Sequence, residues 1–164
     1  MVIERELPDD LTGMRVLAIV AEGDAAKNPT DGIASRGAAH VETAAPQALP
    51  EDGDFGLFLC RDALRVTPHP MALLTDLRRL AAPGATLLLE AEVLPDSERS
   101  QYARFIEDGP RRGWIPGRLA LRWMVETAGF DVERWLEEPG ADDVSPRAHL
   151  RAVRAERAPA SSAP

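Results

Sequence analysis

The sequence predicts an α/β domain in which helices cover both faces of a mostly parallel sheet and an antiparallel strand lies near the C-terminus. Apolar runs typical of strands buried on both faces alternate with segments of helical apolar spacing. Two strand patterns then follow each other directly, from Phe130 to Leu136 and from His149 to Val153, which suggests an antiparallel hairpin that closes the sheet. The chain has 164 residues, 45% of them hydrophobic, which is enough for one domain with a packed core.

Two strands and a weak helix are predicted in the first part of the chain. The apolar run from Arg15 to Ala21 predicts the first strand, and the stretch from Ala39 to Ala44 predicts a second, weaker one. Between them, Gly23 to Gly32 is rich in small and turn-forming residues, so it predicts a loop or a weak helix start. A short helix from Ile33 to Arg36 is expected to end at Gly37.

The middle of the chain carries the two clearest strand patterns. The run from Phe55 to Cys60 predicts a buried strand, and Thr86 to Val93 predicts the next one. A helix that begins at Pro68 and Pro70 is expected between them and stops at Pro83. Its apolar face is formed by leucines at helical spacing, namely Leu73, Leu74, Leu77 and Leu80.

A short helix, a loop and a longer helix are predicted next. Ser97 to Glu107 is expected to form the short helix, and Gly109 to Gly117 the loop that contains Trp114. Leu119 to Ala128 has the pattern of an amphipathic helix that ends at Gly129. The side chains expected to point inward from that helix are Trp123, Met124 and Ala128.

The ends of the chain are expected to lie outside the domain. Residues 1–13 form a polar lead-in, residues 14–156 form the domain, and residues 157–164 are expected to be disordered. The N-terminus lacks the basic and apolar regions of a signal peptide, and no apolar run is long enough to span a bilayer. A cytoplasmic protein without membrane contact is therefore expected.

Charge and cysteine content exclude several classes of function. The net charge of −8 argues against a nucleic-acid partner, because such binding needs a basic surface. The single cysteine, Cys60, excludes an internal disulfide and a multi-cysteine metal site, and we expect it to be a small buried hydrophobe. His40 and His149 are isolated in the sequence, so no metal site is predicted.

Several parts of the chain, which together cover most of it, resemble a known family of enzymes; they are Leu7 to Leu17, Arg36 to Val41, Asp54 to Leu64, Leu80 to Glu90, Trp114 to Pro116, Leu121, and Ala128 to Phe130. The resemblance is to the class I S-adenosylmethionine (SAM) methyltransferases, and in particular to the branch that includes the tRNA wobble-uridine carboxymethyl-transfer enzymes. It implies a Rossmann-like class I methyltransferase fold, with SAM as the cofactor at the carboxyl ends of the strands.

The resembling family has a cofactor pattern from which this sequence departs. The first strand of the family reads Val-Leu-Asp-Ile-Gly-Cys-x-x-Gly, whereas Ala18 replaces the acid here and Val20 replaces the first glycine. The acid that binds the ribose hydroxyls would fall near Ala45, with Glu42 as a shifted candidate. The interval from Val41 to Phe55 has room for one connector, where the family fits a helix and a strand, so we expect a fold reduced in its N-terminal half.

Five residues are the candidates for any remaining cofactor contacts: Glu22, Gly23, Glu42, Arg61 and Asp62. Glu22 and Gly23 follow the first strand, and Arg61 and Asp62 follow a buried strand at the sheet edge where open α/β sheets bind ligands. Arg61 and Asp62 are equally consistent with a local charge pair.

The substrate candidates are His69, Glu92, Arg112 and Trp114. His69 could be a general base or only a residue at a helix start. Glu90 and Glu92 should share one face of their strand, as a substrate contact or as a solvated strand end. Guanidinium recognition of an anion is one interpretation of the basic, aromatic cluster and a solvated surface is the other; the cluster consists of Arg111, Arg112, Arg118, Arg122 and Trp114.

Two functions from different classes follow from the resemblance. In the first, the chain is a methyltransferase-like pseudoenzyme that has lost normal SAM binding and serves as a non-catalytic structural, regulatory or partner-binding protein. In the second, it is an active SAM-dependent methyltransferase for a small molecule, with a remodelled cofactor loop. The reduced sheet edge is expected to attract a protein partner or a second copy of the chain.

Overall fold

In the computed structural model, the described residues are 6–20, 30–95, 101–107, 113–139 and 145–156. The strands are β1 (Arg15–Ile19), β2 (His40–Ala44), β3 (Phe55–Arg61), β4 (Ala81–Glu92), β5 (Ala103–Ile106), β6 (Gly113–Pro116), β7 (Phe130–Glu138) and β8 (Arg147–Arg154). The helices are α1 (Thr30–Ala34), α2 (Ala63–Val66), α3 (Pro70–Leu80) and α4 (Arg118–Thr127).

The main sheet has the strand order β2-β1-β3-β4-β8-β7. Strands β2, β1, β3 and β4 pair in parallel, while β8 runs antiparallel to both β4 and β7. Val16 to Ile19 of β1 are all buried, as expected of a strand that is covered on both faces. The sheet therefore confirms the predicted α/β class, the parallel arrangement and the antiparallel strand near the C-terminus.

No further helix or strand lies between β2 and β3, as the sequence predicted. Residues 45–54 join β2 directly to β3, and this fully described connector contains turns but no helix or strand. A hydrogen bond from the Ala48 N–H to the Ala45 carbonyl, 3.0 Å long, closes one of these turns. Strand β2 consequently forms one edge of the sheet, next to β1.

Two apolar clusters lie on opposite faces of the sheet. The larger one packs α3 and α4 against the sheet, and its largest fully buried side chains include Phe55, Phe58 and Phe130. The smaller one joins β1 and β3 to Ile33 of α1 and to Leu7 and Leu11 of the N-terminal segment. The described part of the lead-in thus contributes to the apolar core.

The segment between β4 and α4 differs from the sequence prediction. Residues 103–106 were expected in a helix, but they form β5; residues 113–116 were expected in a loop, but they form β6. The two strands pair in an antiparallel hairpin, in which the rings of Phe105 and Trp114 meet edge to face, with centroids 5.1 Å apart. A cross-strand aromatic pair of this kind stabilises a hairpin that short local propensities do not reveal.

Helix α4 lies where the sequence predicted it, but a different set of its side chains faces the core. Leu121 and Val125 are buried, and Met124 is partly buried against the larger cluster, whereas Trp123 is 51% exposed. Trp123 lies two residues after Leu121, which places it on the opposite side of a helix with 3.6 residues per turn. The prediction that Trp123 points inward was therefore wrong.

The remaining differences concern helix bounds. Helix α2 was not predicted, because its four residues are too few to show a helical pattern. Helix α1 begins at Thr30, before the predicted Ile33, and β4 begins at Ala81, directly after α3. Helix α3 starts at Pro70, which confirms the proline signal. The predicted disorder of residues 157–164 lies outside the described residues.

Candidate functional site

A cluster of charged side chains lies at the carboxyl ends of β3 and β4. Arg147 at the start of β8 donates through Nη1 to Asp62 Oδ2 at 2.9 Å and to Glu90 Oε1 at 2.7 Å. The second oxygen of Glu90 lies 3.4 Å from Arg61 Nε. We call Arg61, Asp62, Glu90 and Arg147 the ion cluster. Its two arginines balance its two carboxylates within the protein itself.

Burial makes this balance necessary. The side chain of Glu90 is only 8% exposed, so its charge depends on protein partners and not on water. Burial by itself lowers the pKa of Arg147, but the charges and hydrogen bonds of Asp62 and Glu90 more than offset it and the pKa is raised. Arg147 therefore stays charged, and so keeps the countercharge beside both carboxylates.

The turn after β3 holds Asp62 in an unusual backbone conformation. Asp62 has φ 50° and ψ 8°, the left-handed region, which costs energy for residues other than glycine but is tolerated best by Asp and Asn. Its N–H donates to the carbonyl of Glu90 at 2.9 Å, which ties the turn to β4. This backbone bond and the Arg147 contact fix the Asp62 carboxylate inside the ion cluster.

Two further residues, Arg65 and His149, lie beside carboxylates at the same end of the sheet. Arg65 Nη1 lies 3.4 Å from Glu92 Oε2, so the predicted strand-end carboxylate faces an arginine of α2. His149 is buried between two carboxylates, with Nδ1 3.8 Å from Glu90 Oε2 and Nε2 3.6 Å from Glu138 Oε2. Among the described residues, no group of His, Cys, Asp and Glu side chains could hold a metal ion.

Cys60 is a buried residue of β3, as the sequence predicted. It belongs to the larger apolar cluster, and burial together with the negative charge of Asp62 raises the pKa of its thiol to about 12. The thiol is therefore protonated at neutral pH, which makes it a poor nucleophile.

The candidate cofactor residues are not all brought together. Glu42 lies within β2, and its carboxylate is 3.7 Å from both Arg15 Nη2 and His40 Nε2. Both of these partners lie at the amino ends of the first two strands, away from the edge that holds Arg61 and Asp62. Glu22 and Gly23 lie outside the described residues.

Apolar side chains lie at the carboxyl end of β1 and directly after it. Val20 continues the pairing beyond β1, because its N–H donates to the carbonyl of Ala44 at 3.0 Å. Its side chain packs against the smaller apolar cluster, of which buried Ala18 is also a member. Both residues therefore face the side of the sheet that α1 covers.

An apolar pocket brings two of the substrate candidates together. His69, which precedes α3, and Trp114 of β6 both line a cavity of about 470 Å³, which we call the apolar pocket. The other described lining residues come from α2, the connector between α2 and α3, α3, α4 and the β5–β6 hairpin and are Leu64, Pro68, Pro70, Met71, Ala72, Ala103, Pro116 and Met124. Arg112, the remaining substrate candidate, lies outside the described residues.

A close backbone approach places the β5–β6 hairpin against the chain after β3. Gly113 is buried, and a Cβ at this position would lie 1.8 Å from the carbonyl oxygen of Arg65. At the other end of the hairpin, the Gly117 N–H donates to the Tyr102 carbonyl at 2.6 Å. The hairpin thus rests directly on the chain after β3, and only a residue without a side chain fits at the point of contact.

Sequence reasoning missed Arg147, which links the strand ends. Its position on β8, at the same side as His149 and opposite Glu92 in the register, could have signalled a cation facing the β4 carboxylates. The pocket residues Leu64 and Met71 were also missed, because an apolar side chain that lines a cavity has the same sequence pattern as one that fills a core.

Comparisons with known proteins are informative at the level of structure. No family model and no curated protein matches the sequence. The [4+2]-cyclase SpnF has a TM-score of 0.73 and 15% identity, covering 94% of this chain and 79% of that one. A 1,6-didemethyltoxoflavin-N1-methyltransferase of Burkholderia thailandensis, solved with 1,6-didemethyltoxoflavin and S-adenosylhomocysteine, has a TM-score of 0.67 and 12% identity over 88% of this chain and 72% of that one.

A third similar structure is a SAM-dependent methyltransferase of Mesorhizobium loti, with a TM-score of 0.63 and 15% identity, covering 93% of this chain and 96% of that one. Among the described helices, none combines the length and hydropathy that a membrane crossing requires. Sequence identities of 12% and 15% to these three structures are low enough that they establish only the architecture of the chain. The strand order, the antiparallel strand and these similarities together show that the chain has the Rossmann-like fold of class I SAM-dependent methyltransferases.

Proposed function

We propose that this chain is a methyltransferase-fold protein that does not bind SAM in the usual way and acts as a non-catalytic structural, regulatory or partner-binding protein. The observation that carries the proposal is the ion cluster. The charged residues at the ends of β3 and β4 pair with each other, through Arg147 Nη1 at 2.9 Å from Asp62 and 2.7 Å from Glu90. Carboxylates that are already bound in this way are poorly available to a ligand.

The described residues at the sheet edge do not fit SAM well. Val20 presents a β-branched side chain where the resembling family has a glycine, and Ala18 offers no carboxylate. Glu42, the shifted candidate for the ribose, is engaged with Arg15 and His40. Each loss removes a contact to a different part of the cofactor, so their effects on affinity are expected to add.

Isothermal titration of the full chain with SAM and with S-adenosylhomocysteine tests this proposal. We expect no binding in the micromolar range, and no thermal stabilisation by either compound. A ligand present at about 100 times its dissociation constant would stabilise the fold by about 2.7 kcal/mol, which a melting experiment detects easily. Micromolar binding of either compound would refute the proposal.

A second candidate is an active SAM-dependent methyltransferase for a small molecule. It is favoured by the apolar pocket next to the strand ends and by the Burkholderia thailandensis neighbour, whose structure holds a small molecule together with S-adenosylhomocysteine. In that case Arg61 and Asp62 would have to leave the ion cluster when the cofactor binds. Micromolar SAM binding in the same titration would favour this candidate.

We further propose that strand β2 pairs with a protein partner or a second copy of this chain. It is an edge strand in which His40 and Thr43 are exposed, and an exposed edge strand can pair with another strand. Size-exclusion chromatography with light scattering should then show a dimer that Thr43→Lys weakens, because a lysine on an edge strand opposes pairing. If the wild-type chain is a monomer, pairing with a second copy is ruled out. A different protein partner would then have to be captured in a pull-down by the wild-type chain and lost with the Thr43→Lys variant.

A further inference from the structure

The apolar pocket has walls from four separate parts of the fold. Leu64 comes from α2, Met71 from α3, Trp114 from β6 and Met124 from α4. Its volume of about 470 Å³ lies within the range of small-molecule sites, which runs from about 300 to 1,000 Å³. The pocket therefore has the size for one ring-containing molecule.

The chemistry of the walls restricts the charge of that molecule. Prolines, methionines, alanines and a leucine supply most of the lining, and His69 and Trp114 are the lining residues whose side chains carry an N–H group. None of the described residues that line the pocket is Asp, Glu, Lys or Arg. A charged ligand would lose its hydration without gaining a countercharge, whereas an uncharged apolar ligand would not.

Among the described residues, a cation beside the apolar pocket is already balanced. Arg65 lines a neighbouring cavity of about 380 Å³ that shares Pro68 with the apolar pocket. Its guanidinium lies 3.4 Å from the carboxylate of Glu92, so the pair offers little net charge to an anion. Charge therefore favours a neutral ligand on this side of the pocket as well.

The stiffness and flexibility of the lining side chains add a second restriction on the ligand. The prolines and Trp114 are stiff, while Met71 and Met124 are flexible and polarizable and adapt their contacts to a ring. From the lining, the volume and the charge balance we propose that the apolar pocket binds an uncharged, largely apolar, ring-containing small molecule. This binding needs no SAM, so it goes beyond the function proposed above and can be tested separately from it.

A matched pair of fluorescent probes tests the proposal. N-phenyl-1-naphthylamine is neutral, and 8-anilino-1-naphthalenesulfonate has the same ring skeleton with one negative charge. We expect the neutral probe to bind the folded chain with saturable fluorescence enhancement and the anionic probe to bind at least about tenfold more weakly. Saturable binding of the anion as tight as that of the neutral probe would overturn the assignment of charge.

Filling the pocket locates the bound probe. Ala72 on α3 and Ala103 on β5 are exposed residues on its rim, so Ala72→Trp and Ala103→Trp should each weaken the neutral probe at least about tenfold without harming the core. Thr75→Trp is the control, because Thr75 is exposed on the same helix but does not line the pocket. Melting curves confirm that each variant folds.

The probe titrations distinguish between support for the proposal and its rejection. Weakening by both pocket variants, with Thr75→Trp close to wild type, supports the apolar pocket as the binding site. Absence of saturable binding by the neutral probe, or equal binding by all three variants, would overturn the proposal. Neither result depends on SAM, so the titration with SAM can succeed or fail independently.

Discussion

Replacing Arg147 with methionine is expected to lower the free energy of unfolding by about 3 kcal/mol, because it leaves the two carboxylates of the ion cluster with one arginine, Arg61, and an unbalanced charge in a buried site is costly. Arg147 Nη1 contacts both Asp62 and Glu90, and Glu90 is almost fully buried. Methionine keeps much of the apolar stem but provides no donor and no charge. Urea denaturation at neutral pH measures the change.

Two further variants test whether the loss of stability comes from the buried ion cluster and not from the removal of any arginine. Arg122→Met removes an exposed ion pair with Glu126 one helical turn away, where Arg122 is 51% exposed, and should cost no more than about 0.5 kcal/mol. Adding Glu90→Gln to Arg147→Met should recover part of the loss, because an amide needs no countercharge. If Arg147→Met cost as little as Arg122→Met, the ion cluster would not stabilise the strand ends.

The fold was predictable because its signals are local. The β1 and β3 runs are apolar on both faces, and the helix from Pro70 is marked by prolines at its start and leucines along one side. The length of the interval between β2 and β3 was also enough to predict that it contains no further helix or strand. Each of these signals can be interpreted without knowledge of distant contacts.

The candidate site was only partly predictable, because its contacts join distant parts of the chain. Glu90 and Asp62 could be placed at strand ends from the sequence, but their common partner, Arg147, is 57 residues from Glu90 and 85 from Asp62. The strand pair β5–β6 was missed in part for the same reason, since Gly113 packs against Arg65, which lies far away in the sequence. The Phe105–Trp114 contact that also supports this pair is nearer in the sequence, but an aromatic cross-strand pair leaves no period that distinguishes a strand from a helix. His69 and Trp114 were both singled out, but their common pocket was not foreseen.

The second large effect is expected from Gly113→Ala, which should destabilise the β5–β6 hairpin by about 3 kcal/mol. A Cβ at Gly113 would lie 1.8 Å from the Arg65 carbonyl oxygen, and the backbone there has φ 140°, so the hairpin must move away from the chain after β3. Trp114 moves with it, which removes one wall of the apolar pocket. We therefore expect faster trypsin cleavage at the exposed Arg104 of β5, together with weaker binding of the neutral naphthylamine probe.

Gly84→Ala separates the two contributions to this effect. Gly84 also has a positive φ, of 71°, but a Cβ there would meet no atom within 4 Å, so it reports backbone strain without a clash. It should cost about 1 kcal/mol and leave both trypsin cleavage at Arg104 and probe binding unchanged. If Gly113→Ala behaved like Gly84→Ala in all three measurements, the contact with Arg65 would not hold the hairpin in place. Enhanced cleavage without loss of the probe would instead mean that the hairpin is not needed to form the pocket.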